Sequence, residues 1–478
     1  MDDHAAAVEL LRNAVGGEAE FHEGQWEAIE SMLSPGSRAL VIQKTGWGKS
    51  VVYFIATNLL RRRGHGPTLL ISPLLALMRN QVSLAGKYGI RAATINSSNR
   101  DDWHDVIDRV KADEIDCLLI SPERLGDTGF RETVLDPLEK RLGMLVIDEA
   151  HCISDWGHDF RPDYRRILLT AERLDASVPI LCTTATANDR VVKDITEQLG
   201  GELKIMRGPL IRQSLRLRAL RLPDLAKRLA LLSRIVPQLP GVGIIYTLTV
   251  ADARRVAKWL QSRRISAAAY YGELLTNERQ ELETAFNRNE IKCLVATTAL
   301  GMGYDKPDVG FVVHFQRPGS IISYYQQIGR AGRAIERAEV VLIEGAEDDE
   351  INEYFIESAF PPRACFIELI SRLKSEPQSA VELRMWMNFR DTVIYKALSL
   401  LEVHGVVKPN GSKWTLTRDD WNYASLNVDQ IGKQRRQEAE QMRDYARSPD
   451  CRMLYLARAL DDRATTEALR QVRPLHNH

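Results

Sequence analysis

Through the first 200 residues, short unbroken apolar runs alternate with longer stretches of helical periodicity. The runs are Ala39–Ile42, Thr68–Ile71, Cys117–Ile120, Met144–Ile147 and Ile180–Cys182. Unbroken apolar runs separated by helices predict a parallel sheet covered on both faces. A second series follows at Gly243–Tyr246, Ala267–Tyr270, Cys293–Ala296, Phe311–His314 and Glu339–Ile343. Two α/β domains of similar build are expected. The connector, roughly 203–228, carries Arg207, Arg212, Arg216, Arg218, Arg221, Lys227 and Arg228. It reads either as a solvated linker or as a surface beside a phosphate backbone.

After residue 345 the pattern changes. Ser379–Phe389 and Thr392–His404 are amphipathic at helical spacing. Val406–Val407 and Trp414–Leu416 flank the stretch 408–413, which reads as two strands around an Asn-Gly turn. Helix, helix, hairpin is the order of a winged helix. Thr392–His404 would be its recognition helix, but Glu402 lies on it. Duplex binding, protein contact and packing on the core all stay open.

Composition narrows the class. A chain of 478 residues holds roughly two to four domains. Its 44% hydrophobic and 27% charged content is that of a soluble globular protein. No apolar run reaches the roughly 20 residues that span a bilayer. The start, Met1-Asp2-Asp3-His4, lacks the basic region of a signal peptide. A cytoplasmic protein with no membrane contact is expected. The formal net charge of zero excludes nothing, because phosphate binding needs a local basic surface. The six cysteines, Cys117, Cys152, Cys182, Cys293, Cys365 and Cys451, form no Cys-x-x-Cys pair and read as reduced thiols.

Three segments carry chemistry. Gln43-Lys44-Thr45-Gly46-Trp47-Gly48-Lys49-Ser50 follows an apolar run and precedes a helical one, the setting of a phosphate-binding loop. Gly46 and Gly48 let backbone N–H groups approach phosphates. Lys49 would neutralise the β/γ oxygens, and the Ser50 hydroxyl would hold Mg²⁺. Gln43 stands where the general pattern has its first glycine. Asp148-Glu149-Ala150-His151 ends the run Met144–Ile147. Carboxylates at a strand's C-terminal tip lie where open α/β sheets bind ligands. Asp148 would hold Mg²⁺, and Glu149 would orient and deprotonate the attacking water. Gln326-Gln327-Ile328-Gly329-Arg330-Ala331-Gly332-Arg333 falls in the second domain. Arg330 and Arg333, three apart, could point into one cleft and reach the γ-phosphate of a nucleotide held by the first.

These segments, in this order, resemble the superfamily 2 helicases, and the detail resembles the RecQ family. Residues 148–162, from Asp148-Glu149-Ala150-His151 through Trp156, His158, Phe160 and Arg161 to Pro162, are similar to that family's DEAH box and aromatic-rich loop. Phe21-His22-Glu23-Gly24-Gln25 resembles its adenine-reading segment, with Gln25 the implied adenine contact. The stretch 72–81, with Ser72, Pro73, Arg79 and Gln81, resembles its strand-contacting motif Ia. Thr184-Ala185-Thr186-Ala187 resembles motif III. Residues 296–309, with Asp305 an implied nucleotide contact, resemble motif V, and Ser323–Arg333, with Gln326, motif VI. The resemblance covers roughly 20–345.

It implies two tandem RecA-like domains, 1–205 and 206–345. A helical connector with a winged-helix-like domain would follow at 346–425, and a helical segment at 426–478. It further implies ATP and Mg²⁺ as cofactors, and single-stranded and partly duplex DNA as partners. The expected activity is 3′-to-5′ translocation and unwinding by a monomer, in repair or recombination. Trp156 and Phe160 would stack on unpaired bases, and Arg161 would pair with a phosphate or the other lobe. The ATPase motifs do not report the sugar, so an RNA helicase stays open, as does a nucleotide-gated DNA-binding subunit without unwinding.

The C-terminus departs from the family, whose order is ATPase core, four-cysteine zinc module, winged helix. Here the winged-helix-like part comes first. Cys451-Arg452-Met453-Leu454-Tyr455 resembles the start of the zinc module, and no Cys-x-x-Cys follows. A zinc site takes four ligands, while Cys451, His476 and His478 supply three. No structural zinc is expected.

Overall fold

The computed structural model describes residues 2–472, apart from 74, 97–98, 100–101, 155–161, 201, 211, 301–303 and 305. The first apolar series becomes a sheet of β1 (Arg38–Ile42), β2 (Thr68–Ile71), β3 (Ala92–Ile95), β4 (Cys117–Ile120), β5 (Met144–Asp148), β6 (Ile180–Thr184) and β7 (Lys204–Arg207). The order is β3-β4-β2-β5-β6-β1-β7, parallel throughout. Parallel neighbours need crossovers, and the crossover helices cover both faces. Side chains alternate accordingly. Leu40, Ile42, Leu145 and Ile147 enter one core layer, and Ala39, Val41, Met144 and Val146 enter the other.

The second series becomes β8 (Leu215–Arg221), β9 (Val242–Tyr246), β10 (Ala267–Tyr270), β11 (Cys293–Ala296), β12 (Val309–His314) and β13 (Ala338–Glu344). This sheet is also parallel, in the order β10-β11-β9-β12-β13-β8.

The connector differs from both readings of it. It contributes β7 to the edge of the first sheet and β8 to the edge of the second. Its basic groups divide. Arg216, Arg218, Arg221 and Lys227 face solvent, whereas Arg212 and Arg228 are buried. Arg228 lies over the Phe315 ring, donates to the Phe315 carbonyl at 3.1 Å and pairs with Glu347. Arg207 donates to the carbonyls of Leu460 and Asp461.

Beyond the second sheet, Ser379 and Glu382 form a reciprocal cap on the helix Ala380–Trp386. The helix Asp391–Val403 follows, and β14 (Gln378–Ser379), β15 (Val407–Asn410) and β16 (Lys413–Leu416) form an antiparallel wing. Asn410 pairs with Lys413, so the turn residues are Gly411-Ser412, one place later than the expected Asn-Gly. Gly411 sits at φ +60°, which the tight hairpin turn requires. The expected recognition helix packs on the first-lobe helix Pro162–Arg173, where Glu402 pairs with buried Arg166. Of the three roles open to it, this face takes core packing.

The last three described helices are Val428–Arg447, Arg452–Ala459 and Arg463–Val472. Met442, Tyr445, Leu456 and Leu460 share one core with Ile244, Val312 and Tyr324 of the second lobe. The same helices reach the first lobe. Arg190 pairs with Glu438 at 2.6 Å, and Asp461 accepts from the Asp189 N–H at 2.8 Å. Among the described residues no helix is long and apolar enough to cross a membrane, and no three His, Cys, Asp or Glu residues group to hold a metal. Cys451 is exposed; His476 and His478 lie outside the described residues.

Candidate active site between the lobes

The sheet order sets the site. β6 lies between the strand that feeds the phosphate-binding loop and the strand that ends in Asp148. In register, Ile42 pairs with Thr184 and Asp148 with Thr183. Three strand tips therefore open side by side at one sheet edge.

The loop leaves β1 and enters the helix Lys49–Arg62. Gly46 and Gly48 hold φ of +89° and +93°. A Cβ on Gly46 would meet nothing within 4 Å, whereas one on Gly48 would stand 2.7 Å from Gln25 Nε2. Gln25 is buried, accepts from the His22 N–H at 2.8 Å and donates to the Trp47 carbonyl at 2.8 Å. Lys49 Nζ donates to the Gln43 carbonyl at 3.0 Å. Burial lowers its pKa against the pull of Glu149 and Asp148, and the charges of Arg333 and Arg330 lower it further. The finger arginines of the second lobe are thus electrostatically present at the loop. Trp47 is buried; Ser50 is half-buried at the helix start.

Asp148 accepts from Thr183 Oγ1 at 2.6 Å and from Gln81 Nε2 at 3.2 Å. Burial and the neighbouring Glu149 carboxylate raise its pKa. Glu149 takes the left-handed conformation at φ +54°, a strained position for a residue with a Cβ. Burial alone would raise its pKa. The contact and charge of His151, with Lys49 and Arg330, outweigh burial and hold it well below the usual carboxylate range. His151 Nδ1 lies 3.3 Å from Glu149 Oε2 and pairs with it. A carboxylate held in this way at a strand tip can take a proton from a water. Burial opposes the charging of His151, but Cys152 and Glu149 raise its pKa to about 10.

The second lobe closes the site. Gln326 Nε2 lies 2.8 Å from His151 Nε2 and 2.9 Å from Thr186 Oγ1. Thr45 of the loop donates to the Gly329 carbonyl at 3.1 Å. Arg330 donates to the Tyr304 carbonyl at 2.9 Å, and Arg333 Nε to the Gly329 carbonyl at 3.2 Å.

Lys49, Asp148, Glu149, Gln326, Arg330 and Arg333, expected to share a cleft, surround it. The residues expected on the nucleic-acid path divide. Ser72, Pro73 and Gln81 are buried, and Gln81 binds Asp148 and the Tyr53 hydroxyl instead of facing a groove. The helix Leu75–Lys87 turns that residue toward the sheet edge. The Arg79 side chain, Trp156, His158, Phe160, Arg161 and Asp305 lie outside the described residues. Sequence reasoning assigned no roles to His151, Thr183, Thr186 or Arg212. Thr186 lay in a recognised motif and Thr183 directly follows the apolar run Ile180–Cys182, where hydroxyls after a strand were the available signal. Arg212 had none.

The described loop residues fit a polyphosphate. Glycines clear its backbone and the half-buried Lys49 faces it, with a carboxylate pair beyond. Comparison with known proteins agrees. Residues 22–195 match the DEAD/DEAH box helicase family, and 227–335 match the helicase conserved C-terminal domain. The chain is 38% identical over 339 residues to the ATP-dependent DNA helicase RecQ of Pasteurella multocida, which covers 70% of this chain and 52% of that protein. It is 32% identical over 377 residues to the RecQ of Synechocystis, covering 75% and 76%. The probable ATP-dependent DNA helicase RecS of Bacillus subtilis is 34% identical over 346 residues, covering 71% and 67%. The chain spans about half the length of the Pasteurella relative. Similar solved folds include Mycobacterium smegmatis Lhr bound to ssDNA and AMP-PNP, with a TM-score of 0.57 and 18% identity over 89% of this chain and 62% of that one. S. cerevisiae Dbp5 bound to RNA and ADP BeF3 has a TM-score of 0.57 and 16% identity over 74% and 91%. By descent and by the assembly of its motifs, this chain belongs to the RecQ family of ATP-dependent DNA helicases.

Proposed function

We propose that the chain is a DNA-dependent ATPase that moves along single-stranded DNA in the 3′-to-5′ direction and unwinds duplex in repair or recombination. The observation that carries this reading is the Gln326 bridge. It joins the second lobe to His151, which itself contacts Glu149, so lobe closure and the state of the general base are linked through two contacts.

Residues 1–205 bind ATP and 206–345 complete the site. Gly46, Gly48 and Lys49 cradle the phosphates, and Gln25, once released from Trp47, reads the adenine. Ser50 and Asp148 would hold Mg²⁺, which would supply charge neutralisation at the β/γ oxygens. Glu149 Oε2 takes the proton of the attacking water, with His151 holding the carboxylate ionised. Arg330 and Arg333 turn from their carbonyls to the charge that grows on the γ-phosphoryl group. Glu149 is poised by its partners, so the Thr183, Gln81 and His151 contacts serve to fix it and Asp148 at one strand tip. The residues that touch DNA are assigned to the loop 156–161 and to Arg79.

ATP hydrolysis without nucleic acid, with single-stranded DNA and with single-stranded RNA tests this, with Glu149→Gln as control. DNA-selective stimulation lost in the variant is expected. Stimulation by RNA alone would move the substrate, and none by either would leave a nucleotide-gated binding module.

A further inference from the structure

Arg212 belongs to none of the segments assigned to nucleotide, yet it is one of the residues on which the lobes meet. It is 7% exposed. One Nη1 donates to the Gly329 carbonyl at 2.6 Å and to Thr45 Oγ1 at 3.1 Å, and Nη2 donates to the Gly332 carbonyl at 3.1 Å. Among the described residues no carboxylate is its partner, and burial lowers its pKa to about 10. A buried guanidinium answered only by neutral oxygens is costly, and an alkyl side chain would fill the space more cheaply.

The Gly329 carbonyl is the key atom. Three donors converge on it: Arg212, Thr45 and Arg333 Nε at 3.2 Å. A carbonyl oxygen offers two lone pairs, so one donor is surplus. Arg333 is the donor with another task. To meet a γ-phosphate it must leave this carbonyl, and a carbonyl stripped of its donors in a closed cleft resists that.

We propose that Arg212 is a positioning residue. It holds the turn Gly329–Gly332 against the phosphate-binding loop and keeps the Gly329 carbonyl satisfied, so that Arg333 is released to the transition state without loss. This rests on the ATPase reading above. Arg212 touches no substrate; it acts through Arg333.

The test compares kcat and KM for ATP at saturating oligothymidylate in wild type, Arg212→Ala, Arg212→Lys, Arg333→Ala and the Arg212→Ala/Arg333→Ala double variant. Single-turnover rates are used for the slow forms. Arg212→Ala is expected to lower kcat about tenfold and to move KM less than about threefold, since the lost interaction belongs to the transition state. Lysine can still reach the Gly329 carbonyl, so Arg212→Lys is expected within about threefold of wild type. The double variant is expected to be no slower than Arg333→Ala, because both lose the same step. A wild-type rate in Arg212→Ala overturns the proposal, and so does a double variant whose losses multiply. If the alanine variant does not fold, Arg212→Lys decides alone, and a tenfold fall there overturns the proposal. An inactive wild type sinks the ATPase reading itself and this proposal with it.

Discussion

The side-chain amide of Gln326 lies 2.8 Å from Nε2 of His151, and the contact spans the two lobes. Through the other ring nitrogen, His151 meets Glu149. A residue of the second lobe is therefore two contacts from Glu149, the carboxylate we assign to water activation in the first. Replacing Gln326 by Ala removes the bridge and leaves the loop intact. A hydrogen bond of this kind contributes about 0.5–1.5 kcal/mol, so kcat for DNA-stimulated hydrolysis is expected to fall roughly 2- to 10-fold. Affinity for a fluorescent ATP analogue should stay near wild type. Equal losses in both would mean that Gln326 supports only the fold.

The His151–Glu149 pair makes stability depend on pH. His151 is raised to about 10 from an ordinary value near 6.5. A raised folded pKa adds stability that is complete below the unfolded value and is lost as pH rises toward 10. Urea unfolding of wild type and His151→Gln should show the wild-type advantage at pH 6 and its decline by pH 10. A pH-independent difference would mean that His151 is neutral in the fold.

Gly48 faces Gln25 at its only free side. With φ at +93° and a Cβ 2.7 Å from Gln25 Nε2, Gly48→Ala strains the backbone and pushes on the glutamine. The left-handed conformation alone costs about 1–2 kcal/mol. ATP affinity is expected to fall about tenfold or more. Titration with a fluorescent ATP analogue reads the fall, and an affinity equal to wild type would mean that the loop accommodates a Cβ at position 48.

Among the ion pairs that fasten the first lobe to the C-terminal half, the less exposed are Arg166 to Glu402 and Arg190 to Glu438. The double variant Glu402→Ala/Glu438→Ala should keep its circular dichroism spectrum yet show a larger radius of gyration by small-angle scattering. An unchanged radius would assign the restraint to Asp461, which accepts from the Asp189 N–H, and to Asp462, which accepts from the Leu210 N–H at 2.6 Å.

The two sheets were legible because their inner strands are unbroken apolar runs, and the chemistry because loops at strand tips need particular residues. What stayed hidden has physical causes. The sequence Leu215-Arg216-Leu217-Arg218 alternates with a period of two, as an edge strand does, but its arginines made it look like a solvated linker. Gln81 sits in a motif whose neighbours were expected to touch DNA, and only the helix phase turns it to Asp148. The roles of Arg212 and His151 depend on the approach of segments more than 100 residues apart in the chain, as in the Arg212–Gly329 bond, and no local pattern encodes that. The winged-helix order was readable. Which surface its second helix covers was not, because packing on Arg166 leaves no local trace.

Met442, Tyr445, Leu456 and Leu460 complete the core that β9 and β12 begin more than 120 residues earlier. During synthesis, then, the first lobe can close on its own while the second still displays an unfinished apolar face. That face stays open until the ribosome has released the chain past residue 460. At roughly 5–20 residues per second this is a delay of many seconds, in which the nascent second lobe is open to chaperones and to aggregation. A stop codon placed just before the helix Val428–Arg447 should therefore yield a sticky, chaperone-bound product and not a smaller working motor.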